Sequence, residues 1–210
     1  MPVTIAVPKG RLGDEAYALL KETGIVQKDI PKDSRKLILR VGEGIDVILL
    51  RAWDVPTYVE SGTADIGICG RDDCLEHDAD VLMLYDLGFG ECSMAVAAPG
   101  SVTCEELFSR SYLKVATKYP NIAGKFFSSI SVQAEIIKLY GSVELAAVTG
   151  MSDCIVDIVS TGQTLKENGL CVIETLFRSS AGLIANRASF YRNPAFMNSL
   201  TSAIAARLKK

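Results

Sequence analysis

The sequence predicts an α/β fold in two lobes, with parallel or mixed sheets covered by helices. Three observations carry that expectation. Short β-branched runs alternate with helical patterns along the whole chain, as strands joined by helical crossovers do. No repeat at a fixed period and no low-complexity linker separates the parts, so the lobes are expected to be tightly connected. A second block of alternation opens near Glu91. The 210 residues suffice for one large domain or two small ones, each with a proper core.

In chain order, residues 3–7 read as a strand and 9–13 as a turn. A helix over 14–22 follows, with Asp14 as its N-cap and Gly24 as its stop. Strands at 37–41 and 46–50 flank Gly42-Glu43-Gly44. A helix at 55–61 ends at Gly62, a short buried strand covers 65–69, and 72–77 starts another helix. The second block reads as strand 93–98, helix 104–109, strand 114–117, helix 121–127, strand 135–139 and helix 143–147. It continues as strand 154–159, a glycine turn and helix 163–168. Strands at 170–177 and 183–186 and an amphipathic helix at 194–209 close the chain.

Composition removes several function classes. Twenty-two Lys and Arg against 25 Asp and Glu give a net charge of -3, which argues against nucleic-acid or membrane-surface binding through bulk charge. No stretch reaches the length of uncharged apolar residues that a membrane span needs. The opening MPVTIAVPKGR has no basic leader and apolar stretch, so no signal peptide is expected. Six scattered cysteines with no CxxC pair read as reduced thiols of a cytoplasmic protein. The single histidine, His77, excludes multi-histidine metal sites, and no metal-ligand set is expected on the chain.

The most informative segment is 153–165, DCIVDIVSTGQTL. An apolar strand carries one aspartate, Asp157, then opens through Ser160-Thr161-Gly162 into a helix with Gln163 and Thr164 in its first turn. Amides at a helix start, with hydroxyls beside them, cradle a phosphate, and a carboxylate suits two ribose hydroxyls. A sugar diol next to a phosphate is what 5-phosphoribosyl 1-pyrophosphate (PRPP) presents. The plainer alternative is that Ser160 or Thr161 caps a helix and Gly162 turns the chain.

Other junctions add charge. Lys9, Gly10 and Arg11 follow the first strand, at the carboxyl end where open α/β sheets bind ligands, and Ser34-Arg35-Lys36 precedes the second strand. Arginine forks suit polyphosphate, although solvated surface charge explains any one of these residues as well. Lys118-Tyr119-Pro120-Asn121 and Gly141-Ser142-Val143-Glu144 are strand-to-helix junctions that fit pyrophosphate or simple capping. Gly70-Arg71-Asp72 leaves a buried strand, as a lip against a base or as a structural turn.

Eight ordered segments resemble one family. IAVPKGRL, SRKL, AWDVPTYVESGTADIGICGRD, DLGFGECSMAVAAP, VATKYPNIA, IIKLYGSVELA, DCIVDIVSTGQTL and RSSAGLIANRAS occur in this order in ATP phosphoribosyltransferases, which open histidine biosynthesis. The resemblance runs from Val3 to about Ser189. Its most diagnostic part spans 144–165, where Glu144, Gly150, Ser152, Asp157, Thr161, Gly162, Thr164 and Leu165 fit the family signature.

The resemblance implies two lobes like those of type II periplasmic-binding proteins, with mixed sheets flanked by helices and the active site in the inter-lobe cleft. Residues 1–91 with 172–210 would form a discontinuous first lobe for ATP and dimer contacts, and 92–171 a PRPP lobe. By resemblance, Asp157, Ser160, Thr161, Gly162, Gln163 and Thr164 bind PRPP, and Arg11 and Arg35 are the catalytic cations. Lys9, Gly10, Asp72, Lys118, Tyr119 and Glu144 are weaker candidates for ATP or pyrophosphate. Mg2+ would be carried mainly by substrate phosphates. The chain length matches the short form, which implies a catalytic homodimer and a histidyl-tRNA-synthetase-like regulatory subunit in a hetero-oligomer, with a hetero-octamer expected. Two rival readings are a non-catalytic two-lobed binder of small anions and a phosphoribosyltransferase for another base.

Overall fold

Five of the six residues at 3–8 are buried, the pattern of a strand covered on both faces, and the first sheet is built around that strand. The computed structural model describes residues 2–28 and 36–208. The chain divides into two units, Met1–Gly90 with Ser180–Lys210, and Glu91–Ser179.

The first unit contains β1 (Val3–Pro8), α1 (Arg11–Glu22), β2 (Ile38–Gly42), β3 (Ile45–Leu50), α2 (Val55–Glu60), β4 (Ile66–Gly70), α3 (Arg71–His77) and β5 (Leu82–Asp86). The second contains β6 (Cys92–Pro99), α4 (Cys104–Phe108), β7 (Tyr112–Thr117), α5 (Pro120–Ser129), β8 (Gln133–Lys138), α6 (Glu144–Val148), β9 (Cys154–Val159), α7 (Gln163–Glu167) and β10 (Leu170–Ser179). The chain then returns to the first unit as β11 (Ala181–Ala185), α8 (Arg187–Arg192) and α9 (Pro194–Leu208).

The first unit's sheet has the order β2-β3-β1-β4-β11-β5. β1 runs parallel to β3 and to β4, while β2, β11 and β5 pair antiparallel with their neighbours. Alternation along the strands divides the core in two. Ile5, Val7, Ile66 and Ile68 pack with Ala16 and Leu20 of α1 and Met197, Leu200 and Ile204 of α9. Ala6, Ile48 and Ile184 pack on the other side with Val55 and Val59 of α2.

The second unit's sheet has the order β10-β6-β9-β7-β8. β9 is parallel to β7 and antiparallel to β6, and β7 is parallel to β8. Ala97, Ala116 and Ile155 of three adjacent strands meet Ala146 and Ala147 of α6 and Leu165 of α7 in one buried cluster. That packing seats α6 and α7 on the same face of β9.

Several boundaries differ from expectation. α1 begins at Arg11, with Gly10 at its N-cap, so Asp14 lies inside the first turn and its amide bonds to the Gly10 carbonyl at 3.0 Å. β5, α8 and a 3-10 turn at Ala52–Asp54 form where the sequence pattern predicts no element. The return crossing falls after Ser179 instead of at 172, because β10 pairs with β6 from Leu170↔Pro99 to Ser179↔Cys92 and stays in the second unit throughout. No helix of the described residues is long and apolar enough to cross a membrane.

Candidate functional site

β9 delivers its carboxyl end, through residues 160–162, to α7. Gly162 occupies the α7 N-cap with φ 71 and ψ 3, a left-handed conformation that glycine enters without penalty. A β-carbon there would touch only Val159 at 3.8 Å, so backbone conformation and not lack of space selects glycine. Lys166 N–H donates to the Gly162 carbonyl at 3.0 Å, while amides at the start of a helix have no intrahelical partner.

The capping role expected of Ser160 or Thr161 is not what this loop shows. Neither Ser160 nor Thr161 is the N-cap, and the Thr161 hydroxyl receives only a long 3.4 Å bond from the Gln163 amide. Ser160, Thr161 and Thr164 are exposed. Gln163 directs its side-chain amide along the helix to Glu167 at 2.8 Å, so what it offers the loop is its backbone.

Asp157, Ser160, Thr161, Gly162 and Thr164 line one cavity of about 200 Å3, together with Glu144 from the start of α6. Ile158, Val159 and Leu165 complete its wall. Asp157 accepts the Ile158 amide at 2.8 Å, which holds its carboxylate at the strand end. Two carboxylates and three hydroxyls around a loop of backbone amides can engage a diol and an anion at once.

Lys118 and Tyr119 leave β7 beside this strand end, since β7 and β9 are parallel and Thr117 registers with Val156. Lys118 Nζ lies 5.6 Å from the centroid of the Tyr119 ring, whose residue is only 2% exposed and belongs to the core. Asn121 and Ser142 are not helix caps: Tyr119 and Val143 hold those positions.

In the first unit, β1, β3 and β4 are parallel neighbours, so their carboxyl ends share one edge of the sheet. Lys9, Gly10 and Arg11 follow β1 and are all exposed. Lys9 N–H donates to the Leu50 carbonyl at 2.8 Å, bringing the β1 turn against the end of β3. Arg51, exposed and next after β3, joins this basic edge. A cation directly after an apolar strand, the pattern that singles out Lys9, marks Arg51 as well. Asp72 follows β4 in α3 and is buried at 6% exposure. Arg35 lies outside the described residues.

A family model described as ATP phosphoribosyltransferase matches residues 51–209. The chain is 52% identical over 188 residues to an ATP phosphoribosyltransferase of Aquifex aeolicus, covering 90% of this chain and 86% of that protein. Its fold superposes on a chain of the ATP phosphoribosyl transferase (HisG:HisZ) complex from Thermotoga maritima with a TM-score of 0.86 and 33% identity, covering 99% of this chain and 98% of that one. The periplasmic aliphatic sulphonate binding protein of Escherichia coli is similar in fold, with a TM-score of 0.61 at 14% identity over 99% of this chain and 72% of that one.

Proposed function

The chain belongs to the ATP phosphoribosyltransferase family, and from that premise we propose how its own residues divide the work of the reaction. The reaction is the first step of histidine biosynthesis. Adenine N1 of ATP attacks C1 of PRPP while the C1–O bond to pyrophosphate breaks, its electron pair leaving with pyrophosphate. C1 inverts, and the product is N1-(5-phosphoribosyl)-ATP. The ring nitrogen is nucleophilic already, so no strong base is required. What the protein must supply is alignment of two polyanions and positive charge toward the leaving group.

The cavity lined by Glu144, Asp157 and residues 158–162 is the observation that carries the assignment. Asp157 accepts hydrogen bonds from the ribose hydroxyls. The amides of Ser160, Thr161, Gly162, Gln163 and Thr164, with the three hydroxyls, hold the 5-phosphate. Arg11 and Arg35 are the cations toward ATP phosphates and the departing pyrophosphate, with Lys9, Gly10, Asp72, Lys118, Tyr119 and Glu144 in supporting roles. The exposure of Lys9, Gly10 and Arg11 at a strand's carboxyl end supports that placement.

Mg2+ would enter on the substrate's phosphate oxygens and keep much of its water. Glu144 and Asp157, the carboxylates of the cavity, are the groups placed to meet its water shell. When bound, the ion supplies further positive charge to the leaving pyrophosphate.

The Thermotoga maritima relative was solved as a HisG:HisZ complex, and this chain matches 98% of the superposed chain's length. That supports a short-form catalytic subunit that pairs with itself and with a histidyl-tRNA-synthetase-like regulatory subunit. Six free cysteines support a reducing, cytoplasmic setting.

The test is direct. The full chain, alone and with the regulatory subunit, is mixed with ATP, PRPP and Mg2+, and the adduct's ultraviolet absorbance is followed with pyrophosphate release. Equal amounts of adduct and pyrophosphate, requiring both substrates, are expected. PRPP binding without either product in both preparations would leave a two-lobed anion binder in its place.

A further inference from the structure

The carboxyl ends of β7 and β9 are tied by one buried hydroxyl. Thr117, the last residue of β7, is 0% exposed. Its Oγ1 donates to the Val156 carbonyl at 2.6 Å and accepts the Tyr119 N–H at 2.8 Å. The β7–β9 ladder ends at the Thr117↔Val156 pair, so this hydroxyl extends the pairing by one bond beyond the strands' own backbone. The Thr117 carbonyl meanwhile accepts the Leu139 amide at 2.9 Å, fixing the same residue to the end of β8.

Both partners of the hydroxyl are backbone neighbours of candidate site residues. Val156 immediately precedes Asp157, and Tyr119 immediately follows Lys118. A β-branched residue has few side-chain rotamers, so an Oγ1 bonded twice holds its two backbone partners at a fixed separation. We propose that Thr117 is a positioning residue of the sugar-phosphate site, setting the Asp157 carboxylate relative to the Lys118 ammonium without touching substrate. This rests on the assignment of Asp157 and its loop to PRPP.

Valine in place of Thr117 keeps shape and strand preference but removes both donor and acceptor. The Val156 carbonyl and Tyr119 amide then lose a buried partner, and the accessible relief is for the two strand ends to part and admit water. Asp157 and Lys118 would move with them. PRPP affinity, which rests on Asp157 and its loop, is expected to fall further than ATP affinity, to which Lys118 and Tyr119 contribute only in supporting roles.

The experiment compares Thr117→Val, Thr117→Ser and Asp157→Asn in the full chain. Calorimetry gives the PRPP and ATP dissociation constants, thermal unfolding gives Tm, and steady-state assays with the regulatory subunit separate KM for PRPP from kcat. Thr117→Val is expected to weaken PRPP binding about tenfold, the size of one well-placed hydrogen bond, and ATP binding by about twofold or less. Thr117→Ser restores the bridge and is expected to return PRPP affinity to within about twofold of wild type. A purely structural role lowers Tm in Thr117→Val yet leaves the folded protein's PRPP affinity at the wild-type value, which overturns the proposal. If Thr117→Val does not fold, Thr117→Cys, with its weaker donor and acceptor, takes its place and must fall between valine's expected loss and serine. Asp157→Asn separates the two levels. If it weakens PRPP binding while Thr117→Val does not, only the positioning role is lost. Wild-type PRPP affinity in Asp157→Asn removes the site assignment, and the positioning role with it.

Discussion

Gly13 lies so close to the Pro8 carbonyl that a β-carbon on residue 13 would overlap that oxygen. The contact presses the first turn of α1 against the end of β1 and sets where Lys9 and Arg11 emerge. Gly10, three residues earlier, has open space around it but holds φ 83 and ψ -164, a region used essentially by glycine alone. Two glycines therefore make one turn for different reasons. Gly13→Ala is expected to cost about 2–3 kcal/mol through overpacking against backbone, and Gly10→Ala about 1–3 kcal/mol through strain. Urea unfolding measures both. A Gly13→Ala protein as stable as wild type would show that the helix start can slide away from the strand.

That turn also shows what the sequence could and could not reveal. The apolar runs of β1, β4, β7 and β9 and the Ser-Thr-Gly exit from β9 were legible because the local pattern is the cause of the structure. Asp14 looked the better helix start because it is a strong capping residue, yet the close approach at Gly13 pulls the start back to Arg11. β5, Leu82–Asp86, carries no β-branched residue within its bounds and owes its strand to β11, about 100 residues later, through pairs such as Gly182↔Asp86. Asn186 read as the end of a strand, whereas its side-chain oxygen accepts the Ser189 amide at 3.0 Å and starts α8. Arg51 and Thr117 gain meaning only once the parallel register places them beside Lys9 and Asp157.

High pH should weaken the fold through its buried thiols. Burial pushes the Cys154 thiol up to about 12 from an ordinary 9.0. The folded state thus keeps a proton that the unfolded chain releases above pH 9.0. Its stabilising effect is whole below that pH and is lost as pH rises toward 12, by about 1.4 kcal/mol per pH unit for one thiol. Cys69 acts in the same direction, because a hydrogen bond shared with Cys74 Sγ at 3.4 Å and burial both hold its thiol protonated. Urea midpoints collected from about pH 8 to about pH 10.5 should fall less steeply in Cys154→Ala than in wild type, by the weight of one proton. Identical slopes would remove Cys154 from the account.

The only histidine has a structural task. His77 Nδ1–H donates to the Asp73 carbonyl at 2.8 Å, and its ring meets the edge of Trp53 with centroids 4.7 Å apart. Both partners belong to the first unit, and a reaction run by cations and alignment asks nothing of an imidazole. His77→Ala is expected to keep kcat within about twofold, to lower stability by about 1 kcal/mol, and to change the emission of the sole tryptophan. Steady-state assay and fluorescence check these together. A tenfold or greater fall in kcat at unchanged Tm would return the histidine to the chemistry.

Gly162 offers a graded test of the proposed phosphate loop. Its φ of 71 is left-handed, and the nearest atom to a β-carbon there would be Val159 Cγ1 at 3.8 Å, an ordinary contact. Space is therefore not limiting, and the penalty of a side chain is conformational. Alanine in that region costs about 1 kcal/mol, while asparagine, which tolerates left-handed backbone, costs less. If the turn serves only the helix, both variants should bind PRPP normally once folded. If it aims the amides of residues 160–164 at a phosphate, PRPP affinity should fall in the order glycine, asparagine, alanine, with ATP affinity steady. Calorimetry on the folded variants measures that order. Equal PRPP affinity in all three would mean that the phosphate is held by the side-chain hydroxyls of Ser160, Thr161 and Thr164 instead, and the corresponding alanine variants would then carry the loss.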